Sequence, residues 1–155
     1  MVHAFRLLEA TGRHDDTRRL WASVFLHDLA RTHDGRCYVH GASAVTRFQE
    51  SEDLQALFTA AGIVGSDLPA IFTAVTAHSQ PAELDRDHQH WHLTALLKDA
   101  DGLDRVRLGD LDPRYLRWPE SRDMVDFAHR LYTRSLSIPE GPEFFGVLWK
   151  AAEGI

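Results

Sequence analysis

A single cysteine, Cys37, in a chain of 155 residues leaves no internal disulfide to build a fold on, which fits a reducing compartment and predicts a cytoplasmic protein. No apolar run approaches the length of about 20 residues that carries a helix across a bilayer, so a membrane span is excluded on length. Met1 to Arg6 lack the basic segment, apolar core and small-residue cleavage pattern of a secretory signal. Positive charge is also in short supply: 17 Lys and Arg stand against 23 Asp and Glu, a formal charge of −6. Such a chain repels phosphate backbones, and its arginines are scattered, so nucleic acid is not an expected partner. There is no internal repeat, low-complexity tract or linker, and residues 1–155 read as one domain, long enough to bury a core without metal staples.

Alternating β-branched runs are missing too, and what remains is helical periodicity throughout, which makes the expected class all-α. Val2 to Ala10 reads as a helix closed by Gly12, and a second begins at Asp15-Asp16-Thr17 and carries Leu20, Val24 and the adjacent pair His27-Asp28. After a loop at Thr32 to Tyr38, helices are expected over about Gly41 to Gln49 and from Ser51, as N-cap, to Gly62. Ser66-Asp67-Leu68-Pro69 sets a cap ahead of an early proline and predicts a helix over Ala70 to Ala77 that delivers His78 at its end. From His90 through Arg107, Leu93, Leu96, Leu97, Ala100, Leu103 and Val106 recur at helical spacing, with Lys98, Asp101 and Arg105 close in phase on another side. Two more helices, about Glu120 to Ser135 and Pro142 to Ala152, complete the core.

Ten histidines and the His27-Asp28 pair are the chemical content of this chain. Asp28 follows the largely apolar run Trp21 to Leu26, and a carboxylate there needs a partner, for which a divalent cation is the simplest choice. Consecutive helical side chains point about 100° apart, so His27 and Asp28 can meet one ion only from the rim of a helix, with other helices of a bundle supplying further ligands. Nitrogen and oxygen donors without thiolates favour Mn²⁺, Fe²⁺, Mg²⁺ or a similar ion over a structural zinc site. His88, His90 and His92 read as a polar loop, and nothing near Cys37 beyond Arg36 and His40 suggests an activated thiol.

The stretch Val24-Phe25-Leu26-His27-Asp28-Leu29-Ala30-Arg31, followed by Leu97-Lys98-Asp99-Ala100-Asp101-Gly102-Leu103-Asp104, resembles the HD-domain superfamily of metal-dependent phosphohydrolases over residues 2 to about 108. The resemblance implies His27, Asp28 and Asp101 as metal ligands, with His40 and His78 as the extra ligands that hold a second ion in some members. It implies a small phosphorylated substrate, a nucleotide among the candidates, attacked by metal-activated water. Arg31, one turn beyond His27, and Lys98 and Arg105, which bracket Asp101, are the candidate phosphate-binding and orienting groups. Asp99 and Asp104 are expected to cap the network or support the ligands.

In the family, a first histidine sits in a His-x-x-Arg-Val pattern whose Val matches Val2, which places that histidine upstream of Met1. His3 is five positions further on, rotated by about 140° and displaced by about 7.5 Å along a helix, a poor replacement. The expectation is a chain starting late, with a weakened metal site. Two other readings stay open: an impaired HD domain that binds a nucleotide or partner, and a di-iron oxygenase needing both His40 and His78. The oligomeric state is not legible.

Overall fold

The computed structural model describes every residue except Asp34 and Arg36, so part of the expected Thr32–Tyr38 loop, and Arg36 beside Cys37, lie outside the described residues. The described residues are all helical, with no strand: α1 Val2–Thr11, α2 Thr17–Leu26, α3 His40–Glu50, α4 Glu52–Ala60, α5 Leu68–His78, α6 Trp91–Asp104, α7 Pro119–Asp123, α8 Val125–Ser135 and α9 Phe144–Glu153. Short 3₁₀ turns at His14–Asp16, Arg105–Leu108 and Pro113–Tyr115 link them. No helix among these residues is long and apolar enough to cross a membrane.

α6 is the centre of the bundle. Ten of its residues, from Trp91 to Leu103, are buried, on all sides of the helix, because α1 and α2 cover one flank and α5 another. Leu96, Leu97 and Leu103 from α6 meet Ile71, Ala74 and Val75 from α5 and Leu7, Leu20 and Leu26 from α1 and α2 in one continuous core. α3 packs on α5 and α4 on α3. A smaller cluster under α9 joins Val2, Leu131 and Ala152.

Most helix ends follow local chemistry. Gly12 takes φ +66° and closes α1, its N–H and that of Arg13 reaching back to the carbonyls of Glu9 and Leu8. Ser51 caps α4 by accepting from the Leu54 N–H at 3.3 Å. Two expectations need correction. α2 ends at Leu26, so His27 and Asp28 occupy the turn after the helix rather than the helix itself. The segment expected as one helix over Glu120 to Ser135 is two, α7 and α8, meeting at Met124.

Candidate metal centre

Three helix ends converge. His27-Asp28 follows the last turn of α2, His40 is the first residue of α3, and His78 is the last residue of α5. Gly41 makes the meeting of α3 and α5 possible: a Cβ there would stand 2.1 Å from the Val75 carbonyl oxygen, so only glycine allows this approach. The same carbonyl accepts from Nδ1 of His78 at 2.5 Å. Side chains tie the loops together around it. Ser79 Oγ and Gln80 Nε2 donate to the Tyr38 carbonyl, and Arg47 on α3 donates to the Leu29 carbonyl.

Each histidine of the convergence is oriented in the same way. His27 Nδ1 donates to the Val24 carbonyl at 2.7 Å and His40 Nδ1 to the Cys37 carbonyl at 2.7 Å, as His78 does to Val75. A carbonyl can only accept, so Nδ1 carries the ring proton and Nε2 of the neutral ring is a lone pair. His40 Nε2 and His78 Nε2 nevertheless face each other at 2.8 Å. Asp28 Oδ1 lies 3.2 Å from His40 Nε2 and 3.9 Å from His78 Nε2, buried and without a hydrogen bond among the described residues. Lone pairs on three sides of one point repel unless a proton or a cation lies between them.

The electrostatics have the same sense. Burial would raise the Asp28 carboxyl, yet His78, His27, Arg31 and His40 hold it well below the usual carboxylate range. Burial pushes the His40 imidazole down, against the Cys37 carbonyl, which favours its charged form. The site thus sets an anionic oxygen among imidazole nitrogens, a donor set that would suit a divalent ion.

Asp28, His40 and His78 bring one donor atom each within 4.8 Å of one another. Of the other expected ligands, His27 stands beside them, its Nε2 3.6 Å from Asp28 Oδ2, and Asp101 lies on the wall of the adjoining cavity; neither belongs to that three-donor group. His3 is elsewhere, edge-on to Phe127 with Asp104 as its charged neighbour.

The cavity, about 750 Å³, is lined by His40, His78, Arg31, Asp101 and residues from the loops after α5 and α6. Arg31 borders it with its guanidinium 3.4 Å from Asp28 Oδ2. Arg105 is ion-paired with Asp110. Lys98 is a correction: its buried ammonium gives its three protons to the Gln80 carbonyl, the Ala82 carbonyl and Glu83, at 3.0–3.1 Å, and has none left for a phosphate. It fastens the loop after α5 instead.

Asp99, fully buried, accepts from the backbone N–H groups of Arg117 and Trp118, from Ser121 Oγ and from the Arg117 guanidinium, and so anchors the segment that leads into α7. Asp104 pairs with Arg107 at the surface, away from any ligand role. Gly41 and Arg117 were not singled out by sequence reasoning. The glycine directly after His40 was the available signal for the first, whereas Arg117 is separated from its partners by 18 and 34 residues. No family model matches the chain, nor does any curated protein or solved structure.

Proposed function

We propose that this chain is an HD-type, metal-dependent phosphohydrolase acting on a small phosphorylated compound, with a nucleotide among the candidates. The observation that carries the reading is the 2.8 Å approach of two Nε2 lone pairs beside a buried, unbonded carboxylate oxygen. One carboxylate oxygen with two imidazole nitrogens and no thiolate would suit Mn²⁺, Fe²⁺ or a similar divalent ion. Asp28, His40 and His78 would hold the ion, with His27 and Asp101 as the further ligands that the HD resemblance implies. A bound ion supplies Lewis-acid chemistry, acidifying water and offsetting charge on phosphoryl oxygens.

The chain's own groups do the rest. The Val24, Cys37 and Val75 carbonyls fix the three imidazoles in the tautomer that presents Nε2. Arg31 orients Asp28 and borders the cavity where a phosphoryl group would sit. Arg105 is the second candidate on that wall.

The impaired-domain reading has an observation of its own, a compact group of three donors among the described residues. Metal content and hydrolysis of p-nitrophenyl phosphate separate the two. The enzyme reading expects bound divalent metal and a rate abolished by chelation. Metal without turnover favours the binding module, and no metal uptake overturns both as stated.

A further inference from the structure

Two tyrosine rings line the cavity beside the histidine cluster, and neither is packed into the core: Tyr38 is 43% and Tyr115 74% exposed. Neither makes a ring contact or a side-chain hydrogen bond among the described residues. A ring left this open adds little to the stability of a fold, whereas on the wall of a ligand cavity it offers a broad, rigid contact face with few rotatable bonds.

The backbone beneath each ring is fixed. The Tyr38 carbonyl accepts from Ser79 Oγ and Gln80 Nε2, and Tyr38 lies two residues before His40, on the segment that delivers a donor to the cluster. The Tyr115 carbonyl accepts from Arg117 Nη1 at 2.7 Å, and the 3₁₀ turn that carries Tyr115 is capped by Asp112, which accepts from the Arg114 N–H at 3.0 Å. These two anchors belong to one chain of hydrogen bonds. The Gln80 carbonyl accepts from Lys98 Nζ at 3.1 Å, Lys98 also donates to Glu83 Oε1 at 3.0 Å, and the same oxygen accepts from Arg117 Nη2 at 2.6 Å. The network therefore runs from the amide that holds Tyr38 to the guanidinium that holds Tyr115, and fixes the two ring-bearing segments relative to each other.

We propose that Tyr38 and Tyr115 form the recognition surface for a flat aromatic ring in the substrate, which stacks on them while the phosphoryl group is held at the cluster. The inference rests on the reading of the cluster as a phosphoryl-handling metal site. A cavity of about 750 Å³ holds such a ring together with its phosphorylated tail. Because the backbone under both rings is already ordered, little order remains to be lost on binding.

The test is titration calorimetry on the manganese-loaded chain, with adenosine 5′-monophosphate and ribose 5-phosphate as a pair that differs by the ring. The nucleotide should bind at least about tenfold more tightly. Tyr115→Ala and Tyr38→Ala should each narrow that ratio about fivefold or more, and Tyr115→Phe, which keeps the ring, should preserve it. A merely structural role would weaken both ligands together and leave the ratio unchanged. Phenyl phosphate against methyl phosphate distinguishes the kind of ring: a preference there too assigns the surface to aryl groups at large, and its absence assigns it to a nucleobase, each in support of stacking. Equal binding of the first pair overturns the proposal, as does a ratio that either alanine variant leaves unchanged or that Tyr115→Phe also loses. A chain that takes up manganese and binds neither ligand of the first pair overturns it while leaving the metal site standing. A chain that takes up no manganese removes the underlying reading, and this inference with it.

Discussion

Two clusters of polar side chains flank one cavity in this protein, and they are built on opposite terms. The knot of Asp99, Arg117, Glu83 and Lys98 closes on itself: Asp99 receives backbone, hydroxyl and guanidinium protons, and Lys98 places each of its protons on an oxygen. Although burial opposes it, Arg117 and Lys98 hold the Glu83 carboxyl below its ordinary value. The cluster of Asp28, His40 and His78 closes only with a proton or a cation between its members, because its backbone hydrogen bonds turn lone pairs inward. A polar cluster that satisfies itself is a strut; one that needs a proton or a cation to do so is a candidate binding site.

The largest expected effect falls on the strut. Asp99→Ala leaves the Arg117 and Trp118 N–H groups and Ser121 Oγ without their acceptor and should cost about 3–5 kcal/mol in urea unfolding. A loss below about 1 kcal/mol would break the comparison. Gly41→Ala drives a methyl group into the Val75 carbonyl, parts α3 from α5 and should cost about 1–3 kcal/mol while also weakening metal uptake. Unchanged uptake would show that the α3–α5 approach does not set the spacing of the histidines.

His3 sharpens the contrast, since it too is buried with a ring nitrogen lacking a partner, yet no donor set neighbours it among the described residues. Burial, only partly countered by Asp104, lowers its pKa from 6.5 to about 4, with the terminal amine adding to the drop. The folded chain therefore keeps His3 neutral while the unfolded chain takes up a proton as pH falls below 6.5. Stability should decline from pH 6.5 to about 4, by about 1–2 kcal/mol at pH 5, and His3→Leu should remove this decline. An identical acid profile in the variant would contradict it. The smallest stability effect belongs to the cluster itself. His78→Gln relieves the facing lone pairs and should raise metal-free stability by up to about 1 kcal/mol; marked destabilisation would make the cluster a second strut.

The helical class and most helix positions were legible because hydrophobic period, Gly12, Ser51 and Pro69 are local signals. The break at Met124 was not, since no glycine or proline stands between Glu120 and Ser135 to mark it. At the site, His40 and His78 were legible as helix-terminal histidines, and His27-Asp28 as a charge after an apolar run. Their mutual distances depend on Gly41 and on loop carbonyls that no residue pattern reveals. Lys98 was misjudged as a phosphate group for a related reason. Its partners are two backbone carbonyls and Glu83, 15 to 18 residues away, and only the folded loop brings them under its ammonium.

The central claim is that Asp28, His40 and His78 form a cation site. Manganese binding measured by titration calorimetry on the wild-type chain, His78→Gln and a folded control, Asp104→Asn, tests it directly. The account predicts at least one ion per wild-type chain, an affinity loss of more than about tenfold in His78→Gln, and no change in Asp104→Asn. Manganese affinity equal in the wild type and His78→Gln, or absent from both, would contradict it.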